Sequence, residues 1–121
     1  MSQAWLQGQN PDDLAISDWT EAEFSAALSI KSRIGTMRAS ERASVLAEFA
    51  LLSARTFFIL EITKAAFQRA ARLCERVESG LRASDALHLA IAEQHGAAIC
   101  SLDRRLNAAA EAVGVKAIRP A

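Results

Sequence analysis

Apolar residues along the chain fall into two patterns: short unbroken runs, and longer segments in which they recur every three or four positions. The second spacing puts side chains on one face of a helix, whereas a short run bounded by turn residues suits a strand. After the turn at Asn10-Pro11-Asp12, Leu14-Ala15-Ile16-Ser17 reads as a short strand. Residues 20–34 read as a helix with Phe24, Ala27, Leu28 and Ile34 on one face, and Gly35 follows its end. Residues 40–54 form a second helical pattern, with Val45, Leu46, Phe49 and Leu52 facing inward. Phe57-Phe58-Ile59-Leu60-Glu61-Ile62 is rich in strand formers. Thr63 fits the N-cap of the next helix, which carries Phe67, Ala70, Ala71, Cys74 and Val77 and stops before Gly80.

A further helix starts near Ser84 and ends before Gly96. Ala97-Ala98-Ile99-Cys100-Ser101-Leu102 is a nearly continuous apolar run, as expected of a strand covered on both faces. Residues 104–113 are a short helix closed by Gly114, and residues 115–118 a last strand. The order β-α-α-β-α-α-β-α-β predicts an α/β fold: a mainly parallel sheet flanked by helices on both faces, in one domain over residues 1–121. No internal repeat, low-complexity segment or linker interrupts it. Ligands in such sheets bind beyond the carboxyl ends of the strands, which selects the polar residues to consider.

Composition narrows the function classes. A chain of 121 residues with 51% hydrophobic residues can bury a core without staples. The formal net charge is +0, so no global basic field draws in nucleic acid; a local acidic metal site stays compatible with that balance. Lys occurs only at Lys31, Lys64 and Lys116, and the other cations are Arg. The bias reflects either genome composition or a use for the planar guanidinium against phosphate. Cys74 and Cys100 stand apart with no CxxC spacing, which points to a reducing compartment and two small core residues. There is no apolar run of membrane-spanning length and no basic-then-apolar leader in residues 1–10, so a cytoplasmic location is expected.

Three acids meet the strand-exit criterion. Glu23 falls in the first turn of the helix after the first strand, Asp85 in the first turn of the helix beginning Arg82-Ala83-Ser84, and Asp103 where a strand ends and a helix begins. Carboxylates converging at one sheet edge repel unless a cation joins them, and hard oxygen ligands suit Mg²⁺ or Mn²⁺. Such a metal activates water and steadies the charge on a phosphate. Each residue also has a purely local reading. Thr20-Glu21-Ala22-Glu23 fits a capping box, Asp85 is favoured by the helix dipole, and Asp103 is an acceptable N-cap.

The wider context of these acids resembles one family. Leu14-Ala15-Ile16-Ser17-Asp18-Trp19 followed by Glu23-Phe24-Ser25-Ala26-Ala27-Leu28 is similar to the second strand and following helix of VapC-type PIN domains. Gly80-Leu81-Arg82-Ala83-Ser84-Asp85-Ala86-Leu87-His88-Leu89-Ala90-Ile91-Ala92 resembles the family's third acidic motif almost residue for residue. Ile99-Cys100-Ser101-Leu102-Asp103-Arg104-Arg105-Leu106 matches its closing motif, in which Ser or Thr precedes the last aspartate by two. The resemblance implies a PIN-like three-layer fold and a Mg²⁺- or Mn²⁺-dependent endoribonuclease. It implies a toxin of a toxin–antitoxin pair, often homodimeric and inhibited by a small antitoxin covering its groove. Glu23, Asp85 and Asp103 would then be the catalytic, metal-associated acids, with Ser101 supporting the last acid or a water and Arg82 contacting the RNA substrate. A metal-activated water would attack phosphorus and leave a phosphate on one product end.

One departure stands out. The family's first motif is a hydrophobic strand ending in Asp, and nothing before Asp12 matches it; Ser2-Gln3-Ala4-Trp5-Leu6-Gln7-Gly8-Gln9 instead resembles the end of the family's first helix. The expectation is an N-terminally incomplete domain lacking its first strand, about ten to twenty residues at ordinary element lengths. The alternative function is therefore a catalytically impaired PIN-like module that captures an antitoxin or pairs with a homologue. A third reading keeps the acids as helix caps only. Asp18, one residue past the strand run, reads as a solvent-facing turn residue. His88, one turn from Asp85, reads either as a structural histidine or as a base or ligand. His95 suits a helix C-terminus. Arg82, Arg104 and Arg105 flank the acidic motifs and read as phosphate contacts or as solvated surface. Trp5 and Trp19 read as base-stacking or packing residues.

Overall fold

The computed structural model describes residues 14–55 and 57–120. The chain divides into two compact units, one ending at Glu61 and the other running on from Ile62. The expectations placed on residues 1–13, including the helix-like segment with Trp5, lie outside the described residues.

In the first unit, strand β1 (Ala15–Ser17) leads directly into helix α1 (Asp18–Arg33), followed by helix α2 (Ala39–Arg55) and strand β2 (Phe58–Leu60). The strands pair in parallel, Ala15 opposite Phe58 and Ser17 opposite Leu60. Parallel pairing requires a crossover, and the two helices supply it. Phe24 and Phe49 stack with ring centroids 4.1 Å apart and planes 14° from parallel, tying α1 to α2. Leu28 is the buried apolar residue of α1, and α2 buries none fully; Val45, Leu46, Phe49 and Leu52 are half-buried. Ile34, expected on the inward face, is 67% exposed, because α1 ends at Arg33 and the chain turns away there.

The second unit runs helix α3 (Lys64–Cys74), a 3₁₀ turn (Val77–Ser79), helix α4 (Ala83–His95), strand β3 (Ile99–Cys100), helix α5 (Arg104–Ala112) and strand β4 (Ala117–Ile118). β3 and β4 are also parallel, Ile99 opposite Ala117. α4 is the hub: Ala86, Leu87, Leu89, Ala90, Ile91 and Ala92 are all buried. It packs on α3, whose Ala66, Ala70 and Leu73 repeat at helical spacing and whose two alanines permit close approach. Arg69 grips Glu93 with both ends of its fork, at 2.8 and 3.1 Å, and the bond to Glu93 raises the Arg69 pKa further. Thr63 caps α3 by accepting from Ala66 N–H at 3.2 Å, as the sequence predicts, and its hydroxyl donates to Gln94 Oε1.

The α/β class holds, and both ladders are parallel. Among the described residues the strands form two two-stranded sheets, and each strand is shorter than the apolar run that announced it. Besides Ile34, further expected core positions are corrected: Ala27 and Ala71 are exposed, each about 100° round from the buried Leu28 and Ala70. α3 stops at Cys74 rather than near Gly80, so Val77 falls in the 3₁₀ turn and is 86% exposed. Phe67 is 54% exposed, since the inward stripe is set by Ala66, Ala70 and Leu73 and Phe67 lies about 100° round from Ala66. The glycine reading holds well at Gly96: its φ of 63° lets Ala97 N–H reach Ala92 O at 2.9 Å while Gly96 N–H reaches Glu93 O. The same bond pattern closes α1 at Gly35 and α5 at Gly114.

Candidate functional site

The best-defined polar network lies where β3 gives way to α5. Parallel pairing carries on one residue past the strand, Ser101 N–H donating to Ile118 O at 3.0 Å. Ser101-Leu102-Asp103 then turns the chain into the helix. Asp103 is an N-cap in extended conformation, and its Oδ1 accepts from Arg105 N–H at 2.9 Å and Leu106 N–H at 3.2 Å. Two of the helix's orphan amides are thereby satisfied. Ser101 Oγ accepts from the Asp103 amide at 3.0 Å, so its bond is to the backbone of the acid and not to the carboxylate. Both cap bonds fall on Oδ1, which orients the carboxylate rigidly while Oδ2 takes no part in the cap. The local cap reading of Asp103 is thus real, and it is compatible with a second role.

Asp85 is the third residue of α4 and half-buried, in the turn where the helix dipole favours negative charge. Arg82 holds the cap position with extended backbone and no side-chain cap bond, and its side chain is exposed beside the acid-bearing turn. His88 is half-buried one turn further on. Asp85 and Asp103 therefore belong to the same compact unit.

Glu23 lies in the other unit, half-buried as the sixth residue of α1. The capping box expected at Thr20 and Glu23 is displaced: α1 starts at Asp18, Ser17 holds the cap position, and Ser17 N–H donates to Thr20 Oγ1 at 3.4 Å. Asp18, expected in a turn, is the exposed first residue of the helix. Among the described residues no three His, Cys, Asp or Glu side chains gather closely enough to hold a metal ion by themselves. The donor chemistry nonetheless suits Mg²⁺, which keeps several waters and takes only one or two protein carboxylates.

Within the second unit a hollow of about 340 Å³ opens between α3, the 3₁₀ turn and α5. Its floor includes Leu73, Leu81 and Ala109, and Arg76, Glu78 and Arg105 stand at its edge. The Arg105 side chain runs along Gly80, its Cδ 3.4 Å from where a Cβ would sit. In the sequence, residues 75–79 continue the helical pattern, which hides Arg76 and Glu78 as edge residues of a hollow. Both cysteines are free and half-buried; burial pushes the Cys100 thiol pKa up. No described helix is long and apolar enough to cross a membrane.

Comparison with known proteins fits this architecture. The PIN domain family model matches residues 2–112. No curated protein gives a significant match. Among solved structures, FitAcB from Neisseria gonorrhoeae superimposes with a TM-score of 0.67 at 19% identity, covering 95% of this chain and 81% of that one. FitAB bound to a DNA fragment gives 0.69 at 18% identity, covering 97% and 80%. At such identities the likeness speaks for the fold, and with the family match over nearly the whole chain it shows that this protein belongs to the PIN domain family.

Proposed function

We propose that this PIN domain is a metal-dependent endoribonuclease, the toxin of a toxin–antitoxin pair. The observation that carries the reading is Asp103: a carboxylate fixed at the exit of a parallel strand by two amide bonds on one oxygen, braced from behind by Ser101. Asp85, in the first turn of α4 of the same unit, is the second acid that would hold Mg²⁺ or Mn²⁺; Glu23 is the further acid that the sequence motifs suggest. When bound, the ion supplies positive charge to the scissile phosphate and activates water for attack. Asp103 presents its carboxylate without reorganising, and preorganised charge of this kind accounts for much of catalysis in such sites. Arg82, with Arg104 and Arg105 after the last acid, contacts phosphates of the RNA strand; all three are exposed. A small antitoxin and a second copy of the chain are the protein partners this reading implies.

The test is RNA cleavage by the purified protein with Mg²⁺ or Mn²⁺. Cleavage that stops with chelator and is abolished by Asp85→Asn supports the reading; cleavage that persists in excess chelator overturns it. A second reading, a binding module that captures an antitoxin without cutting RNA, is favoured by the absence among the described residues of a ready three-residue metal cluster. Antitoxin binding with no metal-dependent cleavage would establish it.

A further inference from the structure

We infer that Asn107 is a positioning residue for Asp103, an assignment that rests on the reading of Asp103 as a metal-associated acid. Asn107 lies one helical turn past the cap. Its backbone N–H donates to Asp103 O at 3.0 Å, and its side-chain Nδ2 donates to Ser101 O at 2.9 Å. The two bonds clamp both ends of the Ser101-Leu102-Asp103 turn. The side-chain bond is the one that the residue type supplies, since any residue would make the other. Ser101 is the residue whose Oγ holds the Asp103 amide and whose own amide joins the sheet at Ile118. Asn107 thus closes a ring of bonds that runs from β4 through Ser101 and Asp103 into α5.

The choice of asparagine is informative. A carbonyl oxygen only accepts, so the amide must turn Nδ2 toward Ser101, and Oδ1 is left on the other side. That oxygen is buried with no hydrogen-bond partner among the described residues. A buried acceptor without a donor is destabilising, and asparagine is a poorer helix former than alanine. Its neighbours along α5 are Ala108, Ala109, Ala110 and Ala112, so alanine is readily accommodated in this helix. A residue that costs helix propensity and leaves an acceptor unmatched, yet ties down the turn bearing the acid, fits a role in holding that turn. The sequence signal was present but mute: a single amide in an alanine-rich helix, four positions after an acid.

Asn107→Ala and the same-shaped but donor-free Asn107→Asp separate positioning from plain structural support. Three quantities are read: Tm, amide hydrogen exchange at Arg105 and Leu106, and Mn²⁺ affinity by EPR in the absence of RNA. For Asn107→Ala the expected Tm stays within about 4 °C of the parent, because gained propensity and the removed orphan acceptor offset the lost bond. Exchange at the two cap amides rises roughly tenfold as the Asp103 cap loosens. Mn²⁺ binding weakens roughly tenfold or more, the size usual for the residues that orient a ligand. Unchanged exchange at Arg105 and Leu106 in both variants overturns the inference, as does a Tm loss with Mn²⁺ affinity intact. Faster exchange in a protein that binds no Mn²⁺ even unmutated upholds Asn107 as the residue that positions Asp103 and sinks the metal reading instead.

Discussion

The two units differ in how they use their apolar residues. From Ile62 onward, α4 buries its middle turns, Ala86 to Ala92 apart from His88, with α3 and α5 each contributing an alanine–leucine stripe to the core. Up to Glu61, α1 buries Leu28 alone, α2 buries nothing fully, and Ile30, Ile34, Leu51, Phe58 and Ile59 are each about half exposed or more. The lesson concerns rigidity. Asp85 and Asp103 stand on elements anchored in a packed core, which is the framework a preorganised site needs. Glu23 stands on a helix that fully buries one apolar residue, Leu28, and stacks Phe24 on Phe49.

The largest expected losses are at the acids. Asp85→Asn should lower metal-dependent cleavage by at least about a hundredfold, the range expected when a group acting directly on the reaction is lost. Ser101→Ala, which only braces the Asp103 backbone, should cost roughly tenfold. If the two losses were equal under single-turnover conditions, the distinction between acting and bracing residues would fail.

Core substitutions sharpen the contrast next. Leu89 is fully buried in α4, so Leu89→Ala should destabilise by about 2–5 kcal/mol in urea unfolding. Leu51 is 51% exposed on α2, and Leu51→Ala should change stability by less than about 1 kcal/mol. Comparable losses at both sites would mean that the first unit is packed as tightly as the second.

Smaller effects follow at the Thr63 cap and at the half-buried Cys100 thiol. Thr63→Ala removes the α3 cap bond and should cost about 1 kcal/mol, read as a lower urea midpoint with an unchanged slope. Burial raises the Cys100 pKa in the folded state, so the thiol's contribution to stability is fully present below its unfolded pKa and is lost as pH rises through the raised folded value. Stability measured from pH 8 to 10 should therefore fall slightly more in the parent than in Cys100→Ala.

Much of this was readable from residue order. Glycines followed by a change of pattern placed the ends of α1, α4 and α5, because only a left-handed residue closes the final turn so cheaply. Thr63 announced its cap, and the parallel α/β class followed from the alternation of runs. The misplacements share a cause. Val77 and Phe67 are large and apolar and sit near the right period, yet the alanines that fit against α4 decide which stripe of α3 faces inward. The Thr20 box is displaced because Ser17, the last residue of β1, already holds the cap position of α1.

The sequence alone determined what depends on neighbours within a few positions: the glycine stops, the Thr63 and Asp103 caps, and Asp85 in the first turn of its helix. Those properties are local, set by backbone sterics and by the orphan amides of a first turn. Tertiary structure decided what depends on partners far along the chain. It joined Ser101 to Ile118 and Arg69 to Glu93, shortened the strands to the residues that find a partner, and buried one stripe of α3 rather than its neighbour. Such choices turn on which surfaces meet and how closely, and no single segment carries that information.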